Sequence, residues 1–494
     1  GVAGLIFAYV GVQVLLNMMP QTGWVTLSLN VNPDLRMLGF TFVVAFVTGV
    51  VFGLAPALQS TRPAVLPALK NEKGSTLSRS KFRLRKALVV AQVALSLLLL
   101  IGAGLFVRSL RNLKTLNAGF RPDNTLVVDI DPSRNGYAGQ RLRDFYERLR
   151  ARIEAAPGVK AVSLAYITPL GGSRSNMFVS IDGYEYKQGE RRVVDINRIG
   201  SRFFETMGIP IRLGRDFRDG DNPSFTPEPI TGPPPADGAL PPQDLIGPHV
   251  AIVNEALVKK YLQGRNPVGA RLSLAEKYRS EGSFEIVGVV SDARYFGLRA
   301  DTEPMVYTPV WRHAPRAQSL CVRTTNDPER FTEIVRREAS AIDSAIPLLR
   351  VRTMEQQIDN NILQEKLVAT LASFFGIVAL LLASIGLYGM MAYAVTHRTR
   401  EIGIRMALGA RHSTVRWLVL RDALTMVIVG AAIGLPASMA VTRYASSLLY
   451  GITARDPLSA GVATMTLLTV ALIASYIPAR RASRVEPTIA LRSE

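Results

Sequence analysis

Residues 87–107 read ALVVAQVALSLLLLIGAGLFV, with Gln92 as the one strongly polar side chain. A helix rises about 1.5 Å per residue, so about 20 apolar residues cross a hydrocarbon core about 30 Å thick. A helix apolar all round lies either in the core of a large soluble protein or in a membrane, and this length favours the membrane. Residues 367–395 extend the argument, because no formal charge interrupts them. Four weaker stretches belong to the same pattern: 1–19, which contains Gln13, 37–60, 422–445, which contains Pro436, and 457–478. The expected fold is an α-helical integral membrane protein of about six spans.

Charge orients the spans, since cytoplasmic loops collect Lys and Arg. Arg62, Lys70, Lys73, Arg79, Lys81, Arg83, Arg85 and Lys86 lie between the second and third spans, with Glu72 as the one acid. Arg398, Arg400, Arg405, Arg411, Arg416 and Arg421 lie between the fourth and fifth, and Arg480, Arg481, Arg484 and Arg492 follow the sixth. Six alternating spans place all three basic segments in the cytoplasm. Arg108, Arg111 and Lys114 weigh slightly the other way. The formal net charge of +19 is therefore mostly a property of the membrane part, and it gives no case for nucleic-acid binding. The single Cys321 excludes an internal disulfide and a cysteine metal cluster.

Residues 109–366 are mixed in charge and read as a large α+β extracytoplasmic domain of β-α-β units. Thr125–Ile130 alternates as a strand. Arg141–Ile153 carries Leu142, Phe145, Leu149 and Ile153 on one helical face, and Pro157-Gly158 stops it. Val159–Ile167 is a second strand. The far end repeats the order with a strand at Ser319–Thr324, a helix at Pro328–Ile342 and a strand at Leu348–Arg352. Between them, Val253–Leu262 reads as a helix and Glu285–Ser291 as a strand, and the domain divides into two lobes on one reading. Residues 221–248 hold nine prolines and three glycines and read as an exposed loop.

Pro56, Ala57, Arg62, Ala68, Leu69 and Glu72 match Pro478, Ala479, Arg484, Ala490, Leu491 and Glu494 at one spacing, and Gly4-Leu5 sits like Gly434-Leu435. Residues 1–75 are thus expected to be the last part of a first unit that has lost its own first span and outer domain. The complete unit would comprise 76–114 (basic segment and first span), 115–365 (outer domain) and 366–494 (three spans).

Chemistry is hard to find. Lys73-Gly74-Ser75 has the wrong order for a phosphate-binding loop, and no upstream glycine spacing precedes it. His249, His313, His397 and His412 form no H-E-x-x-H pair. Gly171-Gly172-Ser173 reads as a turn rather than a nucleophile elbow. Asp129 and Asp131 could pair as carboxylates, but a solvated strand edge is the plainer account. Cys321 reads as a small core residue, and Gly49-x-x-x-Gly53 fits close helix packing.

After the fourth span, Thr396–Arg421 reads as an amphipathic helix with Arg398, Glu401, Arg405 and His412 on one face and Ile402 and Met406 on another. An ordinary interfacial helix would look the same. The string Arg400-Glu401-Ile402-Gly403-Ile404-Arg405-Met406-Ala407-Leu408-Gly409-Ala410 resembles the signature of the permease family that includes the MacB exporter, the lipoprotein-releasing permeases and the cell-division protein FtsX. Pro478-Ala479-Arg480-Arg481-Ala482, with Glu486-Pro487 and Ala490-Leu491-Arg492, resembles that family's C-terminal signature. The doubled unit resembles its duplicated, acidobacterial-type subgroup.

The resemblance implies the permease subunit of an ABC-type system in the plasma (inner) membrane. A separate cytoplasmic ABC ATPase would dock on 396–412 and move the outer domain, exporting drugs, peptides or lipoproteins. The implied coupling residues are Arg400, Glu401, Ile402, Gly403, Arg405, Met406, Leu408, Gly409 and Ala410. Pro478, Ala479, Arg480, Arg481, Pro487 and Leu491 form the terminal signature. Further implied partners are membrane lipid and a periplasmic adaptor or a hydrolase, with a dimer or an intramolecular pseudo-dimer as the assembly. No cofactor, metal site or catalytic residue is implied. Two other classes remain open: a regulator of an extracytoplasmic cell-wall hydrolase, and a membrane receptor that needs no ATPase.

Overall fold

The structure, a computed structural model, describes residues 39–40, 42–47, 50, 76–222, 248–280, 282–313, 318–444, 449–452 and 456–484, with the side chains of 76–84, 312–313 and 400 left aside. The expected span 1–19, most of the span 37–60, the repeat between the two tails, Gly49 and Gly53, and most of the Pro-rich segment lie outside these residues. The chain divides into two units, Gly1–Lys114 with Leu363–Glu494, and Thr115–Ile362. The first begins with α1 (Thr76–Lys114), which contains the apolar stretch 87–107.

The second unit runs β1 (Thr125–Ile130), α2 (Gly139–Glu154), β2 (Val159–Ala165), β3 (Asn176–Phe178), β4 (Ser180–Ile181), β5 (Val193–Ile199), α3 (Phe203–Met207) and β6 (Ile211–Gly214). It continues with β7 (Val250–Asn254), α4 (Glu255–Tyr261), β8 (Arg271–Ser273), β9 (Phe284–Val290), β10 (Met305–Pro309), β11 (Gln318–Thr324), α5 (Thr332–Ile342), β12 (Leu348–Thr353) and α6 (Met354–Asn361). These strands form one sheet in the order β12-β1-β11-β2-β5-β10-β7-β9-β8-β4, with β3 on β5 and β6 on β9.

The two expected strand–helix–strand units are not separate, because their strands interleave. β1 runs antiparallel between β11 and β12, and β11 runs antiparallel to β2. Period-2 alternation sends Leu126, Val128 and Ile130 to one face of β1. There the stripe of α2 (Leu142, Phe145, Leu149, Ile153) and Val335 and Ala339 of α5 cover them in a single core. A second core gathers Val194, Ile196, Ala251, Val253, Leu257 and Ile286 in the other half of the sheet. Between β2 and β5 the pairing is Ala165 with Ile199. Two lobes therefore exist as two cores on one sheet.

One expected helix needs correction. Val253 and Asn254 belong to β7, and the helix starts at Glu255. The Asn254 side chain accepts the Leu257 N–H at 3.1 Å, which caps α4. Apolar periodicity alone ran across that cap.

In the first unit the chain resumes with α7 (Leu363–His397), α8 (Thr399–Ala407), α9 (His412–Tyr444) and α10 (Pro457–Ala482). Helices α1, α7, α9 and α10 are each long and apolar enough to cross a membrane. Helix α1 is central: 44% of its most apolar window is buried, against 22–28% for the others. Small residues let the helices approach closely. A Cβ on Gly430 would stand 2.5 Å from Val93 Cγ1, and one on Gly434 would stand 2.9 Å from the Ala94 carbonyl oxygen. Ser96 Oγ donates to the Ala379 carbonyl at 2.9 Å.

The end of the bundle from which residues 115–362 emerge is tied by polar contacts. Arg108 pairs with Asp456, Asn112 Nδ2 donates to the Gly451 carbonyl at 3.3 Å, and the Tyr450 N–H donates to Ser109 Oγ at 2.8 Å. The basic Arg108 that opposed the charge rule is thus an ion-pair partner.

Candidate functional site

Helix α8 is built by two interruptions. Arg398 leaves helical geometry after α7, and its amide donates to the Ala394 and Val395 carbonyls at 3.2 and 3.1 Å. At the other end Gly409 adopts φ +88°, and its N–H donates to the Met406 carbonyl at 3.0 Å. That left-handed position is one where glycine carries no steric cost. The segment is therefore not one helix continuous with a span: His397 closes α7 and His412 opens α9.

This break rearranges the expected faces. Arg398 Nη1 donates to Asp422 Oδ2 on α9 at 3.1 Å. Arg405 Nη2 donates to Glu401 Oε1 at 2.6 Å, one helical turn away, and both side chains stay half exposed. His412 Nδ1 meets the Ser483 carbonyl just beyond α10. The four residues expected on one face thus serve three different contacts. Ile402 is buried, with Met406 partly buried behind it, in the core that holds Met391, Val415 and Val419. Gly403 is buried beside Ile402, Ile404 and Leu408 face out, and Leu408 is 83% exposed. A cavity of 190 Å³ lies against α8, walled by Ile402, Arg405, Ala410, Val415, Trp417 and Arg421. Arg400 lies on α8, its side chain outside the described residues.

The terminal signature comes to the same end of the bundle. Pro478, Ala479 and Ala482 are buried within or at the end of α10, whereas Arg480 and Arg481 are exposed. Arg481 Nη1 lies 3.5 Å from the Tyr388 hydroxyl. Arg85, at the start of the apolar part of α1, stacks 4.3 Å above the Tyr393 ring. Pro487 and Leu491 fall outside the described residues. Asp422, Tyr388 and Ser483 were not anticipated. Asp422 had a signal, as the one acid between 412 and 444.

The outer-domain residues singled out for chemistry have structural roles. Asp129 is buried and accepts from Ser319 Oγ at 2.6 Å, Arg350 Nε at 2.8 Å and Arg352 Nη1 at 2.8 Å. Burial alone would raise its carboxyl. The Arg352 charge and hydrogen bond, the Ser319 hydroxyl and the Arg350 charge outweigh burial and hold it below the usual carboxylate range. This is a buried ion network and not a solvated edge. Asp131 instead accepts from Ser133 and Arg134, so the two carboxylates do not form a pair. Burial pushes the Cys321 thiol up to about 12, which makes it inert. Gly172 takes φ +81°, in keeping with a turn. Among the described residues no three His, Cys, Asp or Glu side chains gather as a metal site.

The MacB-like periplasmic core domain family matches residues 87–341, just over half of the chain, and the FtsX-like permease C-terminal family matches residues 373–487. The chain belongs to the MacB/FtsX-like permease family. Over 256 residues it is 26% identical to the macrolide export ATP-binding/permease protein MacB of Azoarcus sp. (strain BH72), covering 50% of this chain and 38% of that protein. Over 119 residues it is 37% identical to the protein of the same description from Escherichia coli, covering 24% of this chain and 18% of that one. The chain spans less than half the length of these curated relatives. The periplasmic region of MacB from Actinobacillus actinomycetemcomitans aligns with 49% of this chain and 95% of its own, at 14% identity and a TM-score of 0.29. As a member of the MacB/FtsX-like family, the chain combines a periplasmic-type domain with, among the described residues, four helices of membrane-spanning length and composition.

Proposed function

We propose that this permease couples ATP hydrolysis by a cytoplasmic ABC ATPase outside these 494 residues to movement of its outer domain. The observation that carries this reading is α8, a short helix anchored inward by Ile402 and facing outward with Ile404, Leu408 and the Glu401–Arg405 pair. A helix packed against two spans at once can turn a push at its exposed face into a tilt of both, provided the bundle has two packings. The family membership supports it. The relatives' descriptions name macrolide export together with ATP binding, so an exported small molecule is the substrate class we favour. Six spans, a first unit within 1–75, a duplicated architecture and an inner-membrane location belong to the same proposal.

Purification of the chain with an ABC ATPase, and measurement of the stimulated ATPase rate, test the docking. Glu401→Ala and Arg405→Ala should each reduce stimulation several-fold while leaving the chain folded. Full stimulation and full co-purification in both variants would overturn the proposal. Capture of a cell-wall hydrolase by the whole chain, with no change in export, would favour the regulatory reading.

A further inference from the structure

A pocket of 380 Å³ opens in the outer domain, walled by 117–121, Gly208, Pro210, Arg212, Glu255, Ser291, Asp292, Arg294 and Thr302. Its size falls in the range of small-molecule sites, about 300–1,000 Å³. Neither the coupling reading nor the sheet requires it.

The walls are fixed. The Arg294 N–H donates to the Ala118 carbonyl at 2.9 Å, and the Ser291 N–H donates to the Pro210 carbonyl at 2.9 Å. Gly119 and Gly208 take φ +82° and +66°. A Cβ on Gly119 would stand 2.0 Å from the Asp292 carbonyl oxygen, and one on Gly208 would stand 2.8 Å from Arg121 Cβ. Both positions need glycine for conformation and for space.

The lining asks for charge of both signs. Ser291 is 7% exposed, and its hydroxyl is buried without a hydrogen-bond partner. A buried unmade hydrogen bond is costly, and a native one calls for an explanation. The exposed Arg121 guanidinium has no acceptor or carboxylate partner among the described residues. Arg212 is 3.5 Å from Glu255, and the Arg294 side chain already donates to the Leu298 and Ala300 carbonyls. Asp292 accepts from the Ala256 N–H at 2.9 Å and from Thr302 at 3.4 Å. Burial pushes the Asp292 carboxyl up, and a cation beside it would favour the ionised form.

We infer that this pocket binds a small phosphate ester that carries an amine. The phosphate would take the Arg121 charge and the Ser291 hydroxyl, and the ammonium would face Asp292 and Glu255. A bare anion would meet two carboxylates, and a bare amine would leave Arg121 and Ser291 without acceptors. The chemistry is shared by an ethanolamine phospholipid headgroup and by a soluble phosphoethanolamine. Asn117, on the pocket wall, follows Lys114 at the end of α1 by three residues, so the pocket is close in the chain to a span.

The test is calorimetric titration of the full chain in phospholipid-free detergent with O-phosphoethanolamine, inorganic phosphate and ethanolamine. Phosphoethanolamine should bind at least tenfold more tightly than the other two. Ser291→Ala and Arg121→Gln should each weaken it about tenfold, the loss expected for one charge-assisted hydrogen bond. Ser291→Ala should not lower the thermal midpoint, because the hydroxyl has no internal partner to lose. That variant decides the matter if Arg121→Gln fails to fold. Displacement of the soluble probe by nanodiscs of ethanolamine lipid, and not of choline lipid, identifies a headgroup site; no displacement by either identifies a soluble ester. Absence of binding, phosphate binding as tightly as phosphoethanolamine, or wild-type affinity in both variants would overturn the inference.

Discussion

In the membrane bundle Gly430 lies against Val93 and Gly434 against Ala94, whereas in the outer domain Asp129 lies between Arg350 and Arg352. The two regions answer to different solvents. Lipid tails are as apolar as leucine, so burying Leu97 against a neighbouring helix gains little over leaving it in lipid. What holds the bundle is close contact, which small residues permit. In the outer domain water is the reference, and burying Phe145, Tyr146, Phe203 and Phe204 removes large apolar areas from it. That burial can carry a charged network whose desolvation is costly. Stability should therefore depend on specific charges outside the bundle and on specific volumes within it.

The largest expected effect is Asp129→Ala. It leaves Arg352, only 9% exposed, without its carboxylate, and loss of one partner of a buried pair costs about 3–5 kcal/mol. Thermal unfolding, with amide exchange in β1 and β11, measures it; a loss below about 1 kcal/mol would break the contrast. Because the folded Asp129 carboxyl lies below its usual value, its contribution is present above about pH 4 and lost as pH falls through the folded value.

Asp216 runs the other way. Burial, helped by the Glu205 charge, pushes its carboxyl up from 3.8 to about 6. A raised folded value means that protonation favours the fold, so this group's contribution is present below about pH 4 and lost as pH rises through 6. Asp216→Asn should stabilise the outer domain by up to about 3 kcal/mol at neutral pH, with the gain vanishing by about pH 4. Unfolding midpoints for both proteins across that range decide it; a gain that persists at pH 4 excludes titration of Asp216 as its cause.

The same contrast explains how much could be read in advance. The four long apolar helices were legible because a bilayer demands an uninterrupted apolar run, and α2 was legible because Leu142, Phe145, Leu149 and Ile153 mark one face. The sheet order was not. Asp129 meets Ser319 and Arg352 across 190 and 223 residues of chain, a distance local patterning cannot bridge. Strands as short as β4, Ser180–Ile181, show no period at all. At α8, the string from Arg400 to Ala410 was recognisable by resemblance. Its break was written in Gly409, followed by the polar His412-Ser413-Thr414 that opens α9, but the helical periodicity of Ile402 and Met406 masked it.

Within the bundle, Gly430→Leu should cost about 1–3 kcal/mol, the usual penalty of overpacking. The cost should be the same at pH 4 and pH 7, since the atoms nearest the added side chain are those of Val93 and the Val90 carbonyl oxygen. Helical unfolding in micelles tests it, and a pH-dependent loss would show that charge, not volume, governs the site. Leu408→Asp should have the smallest effect on stability, within about 0.5 kcal/mol, because a side chain 83% exposed loses little on substitution. Its effect on coupling should be large, a tenfold or greater fall in stimulated ATPase rate, since a carboxylate placed on the exposed surface that Leu408 shares with Ile404 must be desolvated when a partner binds there. Ile402, six positions earlier and within α8, supplies the control: Ile402→Ala should lower stability and stimulation together. If Leu408→Asp also lowers both, its side chain is part of the fold, and α8 has no free face for a partner. If it lowers neither, the partner docks elsewhere.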